Sequence, residues 1–76
     1  MTKAEIKAEI ERMTDKQRAA LRARFGGKSI SYLRCKEFLG IIRDVHVIFQ
    51  DGIEYDIAIG KRGALHRVTC LGCVTA

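Results

Sequence analysis

Asp44 to Cys70 reads DVHVIFQ (44–50), DG (51–52), IEYDIAIG (53–60), KRG (61–63) and ALHRVTC (64–70). β-Branched and aromatic residues alternate with polar ones, and two short Gly-containing segments interrupt the alternation. This is the pattern of an antiparallel three-stranded meander. Its register turns on Asp51-Gly52. A two-residue turn there would pair Ile48 with Tyr55 and Phe49 with Glu54, mixing charged and apolar side chains on both faces. A three-residue loop, Gln50 to Gly52, with Gly52 at positive φ in a bulge, instead pairs Phe49 with Ile53, Val47 with Tyr55 and Val45 with Ile57. One coherent apolar face results, so this is the expected register. Val68 and Cys70 extend that face onto the third strand, joined by His66 if the second loop spans Gly60 to Gly63. The opposite face then carries Asp44, His46, Ile48, Glu54, Asp56 and Arg67.

The residues before the meander carry helix signals. Thr2 followed by Glu5 is a capping box, and Ile6, Ile10 and Met13 recur at helical spacing behind it. An unbroken helix would continue that stripe through Gln17, Ala20 and Arg24, leaving Leu21 and Phe25 facing elsewhere. A break at Thr14, which repeats the capping box with Gln17, resolves the conflict. A second helix is therefore expected from Asp15 to Phe25, ended by Gly26-Gly27. Lys28 to Gly40 reads two ways. Ser-Ile-Ser-Tyr-Leu alternates like a strand, whereas Tyr32, Cys35 and Leu39 follow helical spacing with Gly40 as a stop. The helical reading, Ser31 to Leu39, is preferred. It would make Ala23, Gly27 and Leu33 the key positions of a helix-turn-helix, with Ser29, Ser31, Arg34 and Lys36 near its groove-facing side and the hairpin as a wing. Gly26 and Lys28, however, stand where apolar residues would join the two helices. The run Arg24 to Tyr32 also resembles the Phe-Gly-Gly-then-strand element of the phage Mor activator family. That resemblance covers nine residues, implies a strand at Ser29 to Leu33 and a mobile-element origin, and transfers no functional residue.

The expected fold class is thus α+β, with two or three short N-terminal helices packed on a three-stranded antiparallel β-meander. The expected core is Ile6, Ile10, Leu21, Phe25, Leu33, Leu39, Val45, Val47, Phe49, Tyr55, Ile57 and Val68. Seventy-six residues make one domain, with residues 1–40 a basic helical half and 41–76 the meander. A domain of this size buries only roughly 60% of its unfolded surface, which disfavours a deep enzyme cleft. No run approaches the length needed to span a membrane, Met1 to Met13 is charged throughout, unlike a signal peptide, and three cysteines do not suggest a secreted disulfide framework. A cytoplasmic location is the expectation.

Charge is unevenly placed. Met1 to Arg43 holds eleven Lys and Arg against five Asp and Glu, an excess of six positive charges, whereas residues 44–76 hold three against four. A basic surface of this kind attracts polyanions without reading sequence; surplus cations also serve solubility alone.

No catalytic motif is present. Cys70-Leu71-Gly72-Cys73 is a single C-x-x-C. With Cys35 and His66, or His46, it could complete a zinc set, but in a regular strand its two sulfurs would point to opposite faces. Small buried or terminal cysteines are the competing reading. His46 and Asp56 should face each other across the first hairpin, as an ordinary charge pair or as an oriented base lacking a nucleophile. His66 would be a hydrogen-bonded core histidine. Gly60-Lys61-Arg62-Gly63 reads as a flexible basic tip able to contact phosphate or simply to be solvated. The expected function is a small basic non-enzymatic domain that contacts nucleic acid through Arg18, Arg22, Arg34, Lys36, Lys61 and Arg62. The alternative is a protein–protein interaction module, such as a phage inhibitor or anti-defence protein acting on an acidic or nucleic-acid-handling complex. No cofactor is expected beyond the zinc set named above. Exposed sheet edges and a modest core also suggest a homodimer.

Overall fold

A computed structural model describes residues 1–73. Two helices, α1 (Lys3–Glu11) and α2 (Asp15–Phe25), are followed by four strands, β1 (Ile30–Phe38), β2 (Ile41–Phe49), β3 (Ile53–Ile59) and β4 (Leu65–Cys73). The strands form one antiparallel meander in the order β1-β2-β3-β4. No helix among the described residues is long and apolar enough to cross a membrane.

Both helices start where their capping boxes place them. Thr2 Oγ1 accepts from the Glu5 amide and Thr14 Oγ1 from the Gln17 amide, and each partner's side chain accepts from the cap amide in return. The break between the helices lets α1 face β1 while α2 faces the centre of the sheet. α2 ends at Gly26, whose φ of 70° is a conformation an L side chain rarely adopts.

The register expected for the central hairpin is present: Val45 opposes Ile57, Val47 opposes Tyr55 and His46 opposes Asp56. Gly52, at φ 86°, closes the loop with its amide on the Phe49 carbonyl (2.9 Å). The face toward the helices buries Leu33, Cys35, Val45, Val47, Phe49, Ile57 and Ile59, with Ile42 and Met13 completing the core. Each such large side chain contributes roughly 1.5–3 kcal/mol by burial. Ile6, Ile10, Leu21, Phe25, Tyr55 and Val68 pack on it from partly buried positions.

Residues expected to form a third helix form β1 instead, and the helix-turn-helix goes with it. Leu33 and Cys35 alternate inward, while Arg34 and Lys36 are exposed. The helical spacing of Tyr32, Cys35 and Leu39 was coincidental. Leu39 does not join the core: it is 85% exposed at φ 54°, the first central residue of a two-residue hairpin turn whose second is Gly40 at φ 80°. That turn adds a fourth strand to the three expected.

His66 is also displaced from the apolar face. A register shift between Ala58 and Ile59 pairs Ile59 with Leu65 and leaves His66 exposed. Its ring lies over Gly60, where a Cβ would come within 2.8 Å of Nε2.

As an edge strand, β1 exposes backbone groups, and α1 with its flanking residues Met1 and Arg12 covers them. The Leu33 amide donates to Met1 Sδ (3.4 Å), the Cys35 amide to Glu9 Oε1 (3.3 Å), and Arg12 Nη1 donates to the Cys35 carbonyl (3.2 Å). α1 therefore removes from one edge the template for pairing with another chain. The Arg12 side chain, followed by the Cys35 amide, holds the Glu9 carboxyl below its usual pKa. Burial pushes the Cys35 thiol up to about 11.

Candidate functional site

In an antiparallel meander the β1–β2 and β3–β4 turns emerge at the same end of the sheet, here about 10 Å apart across two strand spacings. The link between the helices is tied to that end too. Thr14 Oγ1 donates to the Lys61 carbonyl (3.3 Å), and Arg12 reaches Glu37 at 4.0 Å.

Gln17 fixes this arrangement. It is completely buried, and its Nε2 donates to the Ile42 carbonyl (2.9 Å) at the start of β2 and to the Gly60 carbonyl (3.1 Å) just after β3. Its Oε1 accepts from the Thr14 amide (3.1 Å), so one side chain caps α2 and clamps it to two strands. Gly63, at φ 89°, comes so close to α2 that a Cβ there would lie 2.5 Å from the Lys16 carbonyl oxygen. The Gly60–Gly63 turn is thus pinned rather than flexible, and it holds Lys61 and Arg62 exposed on a defined backbone.

Lys36, Lys61 and Arg62 of the sequence-derived set all lie at this turn end. Lys16, in the first turn of α2, and Arg43, the extra residue at the β1–β2 register shift, join them. All five are exposed, and none has an ion pair among the described residues. Phe38 and Leu39, 65% and 85% exposed, form the tip of the β1–β2 turn. Sequence reasoning missed Arg43 and this apolar tip because both depend on β1 being a strand, and missed Lys16 because its place depends on α2 packing against the Gly60–Gly63 turn. The hint was the Leu39-Gly40 pair bounded by Phe38 and Ile41.

The other members of the set lie elsewhere. Arg18 is engaged in the fold, donating to the Met13 carbonyl (2.7 Å) and the Ile10 carbonyl (3.3 Å) and pairing with Asp15. It caps the C-terminal end of α1. Arg22 is exposed on α2. Arg34 lies on the sheet face away from the helices, where a hydrogen bond with Tyr32 raises its pKa.

The zinc set is not assembled. Cys35 is buried on β1 with its thiol donating to the Glu9 carbonyl (3.5 Å), while His66, Cys70 and Cys73 belong to β4 at the opposite edge. A shift between Glu54 and Tyr55 pairs Cys70 with Tyr55 and Cys73 with Ile53, so the bulge rather than a knuckle sets their relation. No group of three potential metal ligands occurs among the described residues. On the outer face His46 Nε2 contacts the Glu54 carboxylate, a diagonal neighbour, instead of Asp56. The Tyr32 ring stands edge-on to the imidazole, with centroids 5.7 Å apart. These contacts make a cross-strand polar cluster on the uncovered face. No family model matches the chain, and neither the curated proteins nor the solved structures contain a significant match to it.

Proposed function

We propose that the protein is a non-enzymatic nucleic-acid-binding domain that grips the phosphate backbone with the turn end of its sheet. The observation that carries this reading is that Lys16, Lys36, Arg43, Lys61 and Arg62, all exposed and without ion-pair partners among the described residues, lie in or beside the two turns at one end of the sheet, Lys36 opposite Asp44 on the face away from α2, together with the exposed Phe38-Leu39 tip. Cations in two neighbouring turns beside an exposed apolar tip suit contact with a phosphate backbone and its adjoining bases. Phe and Leu side chains are of the kind that wedge against or between base steps. The clamp formed by Gln17 and Gly63 supports the same reading, because it presents Lys61 and Arg62 with little further ordering on binding. Recognition is then of charge and shape, with no base-reading helix.

Anisotropy of a labelled random duplex, and of an RNA of similar length, at low salt tests the assignment. Replacing Lys61 and Arg62 by Ala should weaken binding at least tenfold without moving the thermal midpoint. Arg22→Ala, in the last turn of α2 away from the turn end, should leave affinity within about twofold. Equal losses from the two variants would point to diffuse attraction by net charge and refute a localised site.

A further inference from the structure

The two helices do not close over the sheet. α1 is held to the β1 edge by Glu9 and Arg12. α2 is held over the centre by Gln17 and by Phe25, whose ring centroid lies 5.1 Å from that of Phe49 and 4.9 Å from that of Tyr55. These anchors set the helices apart and leave a groove of about 750 Å³ between them. Arg18, bonded to the α1 carbonyls, crosses one end, whereas Lys3, Gly26 and Gly27 line the other. Partly buried Ile6 and Ile10 form one wall, Leu21 and Phe25 the other, and Val47 lies in the floor.

The charges around this groove have one sign. Lys3, Lys7, Arg18, Arg22 and Lys28 line it, and no Asp or Glu does. Arg18 is engaged with backbone and Asp15, and Lys28 pairs with Asp51 at 2.6 Å. Lys3 and Lys7 on one helix and Arg22 on the other have no ion pair among the described residues, so cations flank the apolar hollow on both sides. A complementary occupant has an apolar stripe bordered by carboxylates. It must also satisfy its own backbone. The nearest sheet edge, β1, is already covered by α1, so an extended peptide would bury unpaired amides and carbonyls, whereas a helix brings none.

We infer that this groove is a docking site for an acidic amphipathic helix of a partner protein, with apolar residues at i, i+3 or i+4, and i+7 seated between α1 and α2 and Asp or Glu facing Lys3, Lys7 and Arg22. The site is independent of the turn-end cations, so the domain can join a helix-bearing partner to a second ligand.

The test is a displayed library of 16-residue peptides with Leu or Phe fixed at the helical anchor positions and all flanking positions randomised, selected on the whole protein and counter-selected on the double variant Lys7→Glu/Arg22→Glu. Both substitutions are on exposed positions, and an unchanged circular dichroism melt confirms the fold. The expected pool is rich in Asp and Glu. Its members should bind the double variant at least tenfold more weakly, bind Lys61→Ala/Arg62→Ala with unchanged affinity, and shift the amide resonances of Ile6, Ile10 and Phe25. A pool without acidic bias, or one the double variant retains, overturns the inference. So does a groove that takes laurate while the library yields no binder, which would make it a site for a lipid anion.

Discussion

Replacing Gln17 by Leu should cost more stability than any other single polar substitution in the chain. The side chain is fully buried and makes three hydrogen bonds, to the carbonyls of Ile42 and Gly60 and from the amide of Thr14. Leucine fills a similar volume, so little cavity arises and the loss isolates the polar contacts. The Gly60 carbonyl keeps the Gly63 amide at 3.0 Å, but the Ile42 carbonyl and the Thr14 amide each lose this partner. At about 1 kcal/mol for each bond, with desolvation of the stranded groups added and relaxation subtracted, the expected cost is about 3 kcal/mol. For a domain of this size that is a drop of roughly 12–24 °C in Tm. Thr14→Ala is the comparison, since it removes the cap and the exposed hydroxyl contact to the Lys61 carbonyl but leaves the buried Gln17 bonds to Ile42 and Gly60, and about 1 kcal/mol is expected. Urea unfolding with a common m value measures both. A Gln17→Leu protein that unfolds within about 1 kcal/mol of the parent would mean that α2 does not depend on the clamp. The account of how Lys61 and Arg62 are positioned would then fail.

Leu39→Asn should raise stability by about 0.5–1 kcal/mol, because Asn tolerates the positive φ that the turn imposes, while weakening the proposed nucleic-acid binding by removing half of the apolar tip; stronger binding by the variant would exclude a wedge. The Cys35 thiol has a raised folded pKa of about 11 against an ordinary value of 9.0. The stability it contributes is intact below pH 9 and should fall as the pH rises toward 11, with the Cys35→Ala protein lacking that part of the alkaline limb in melts across the range. At pH 8 a thiol reagent should modify Cys70 rapidly and Cys35 only on unfolding; simultaneous modification of both would contradict the burial of Cys35 beneath α1. Glu9, lowered in the folded state by Arg12 and the Cys35 amide, contributes stability present above its unfolded pKa near 4.5 and lost as the pH falls through its folded value. Glu9→Gln should therefore flatten the acid limb of Tm against pH, and an unchanged limb would exclude the edge clasp as its source.

What the sequence made legible was local. The two capping boxes located both helix starts, and the alternation around Asp51-Gly52 returned the register of β2 with β3 to the residue. Misreadings came where a nonlocal contact overrode a local preference. Leu39 occupies a positive-φ turn position that chemistry favours for Asn or Gly, so the β1–β2 hairpin carried only Gly40 as a turn signal, which serves equally as a helix stop, and Tyr32, Cys35 and Leu39 could pass for a helix face. His66 left the apolar face through a one-residue bulge, invisible to a strict period of two. Arg18 looked like a surface cation because nothing in the spacing shows that the C-terminal carbonyls of α1 fold back onto it. The convergence of Lys16, Arg43, Lys61 and Arg62, and the groove between the helices, both require the meander's turn geometry and the helix anchors. Neither is encoded in any short window.

The salt dependence of duplex binding tests the proposed function most directly. If the five turn-end cations each neutralise a phosphate, log Kobs should fall against log salt with a slope near −4.5, about a five-hundredfold loss between 50 and 200 mM. Lys61→Ala/Arg62→Ala should reduce the magnitude of that slope by about two. A shallow slope, or one that these substitutions leave unchanged, would contradict a phosphate-binding site at the turn end of the sheet.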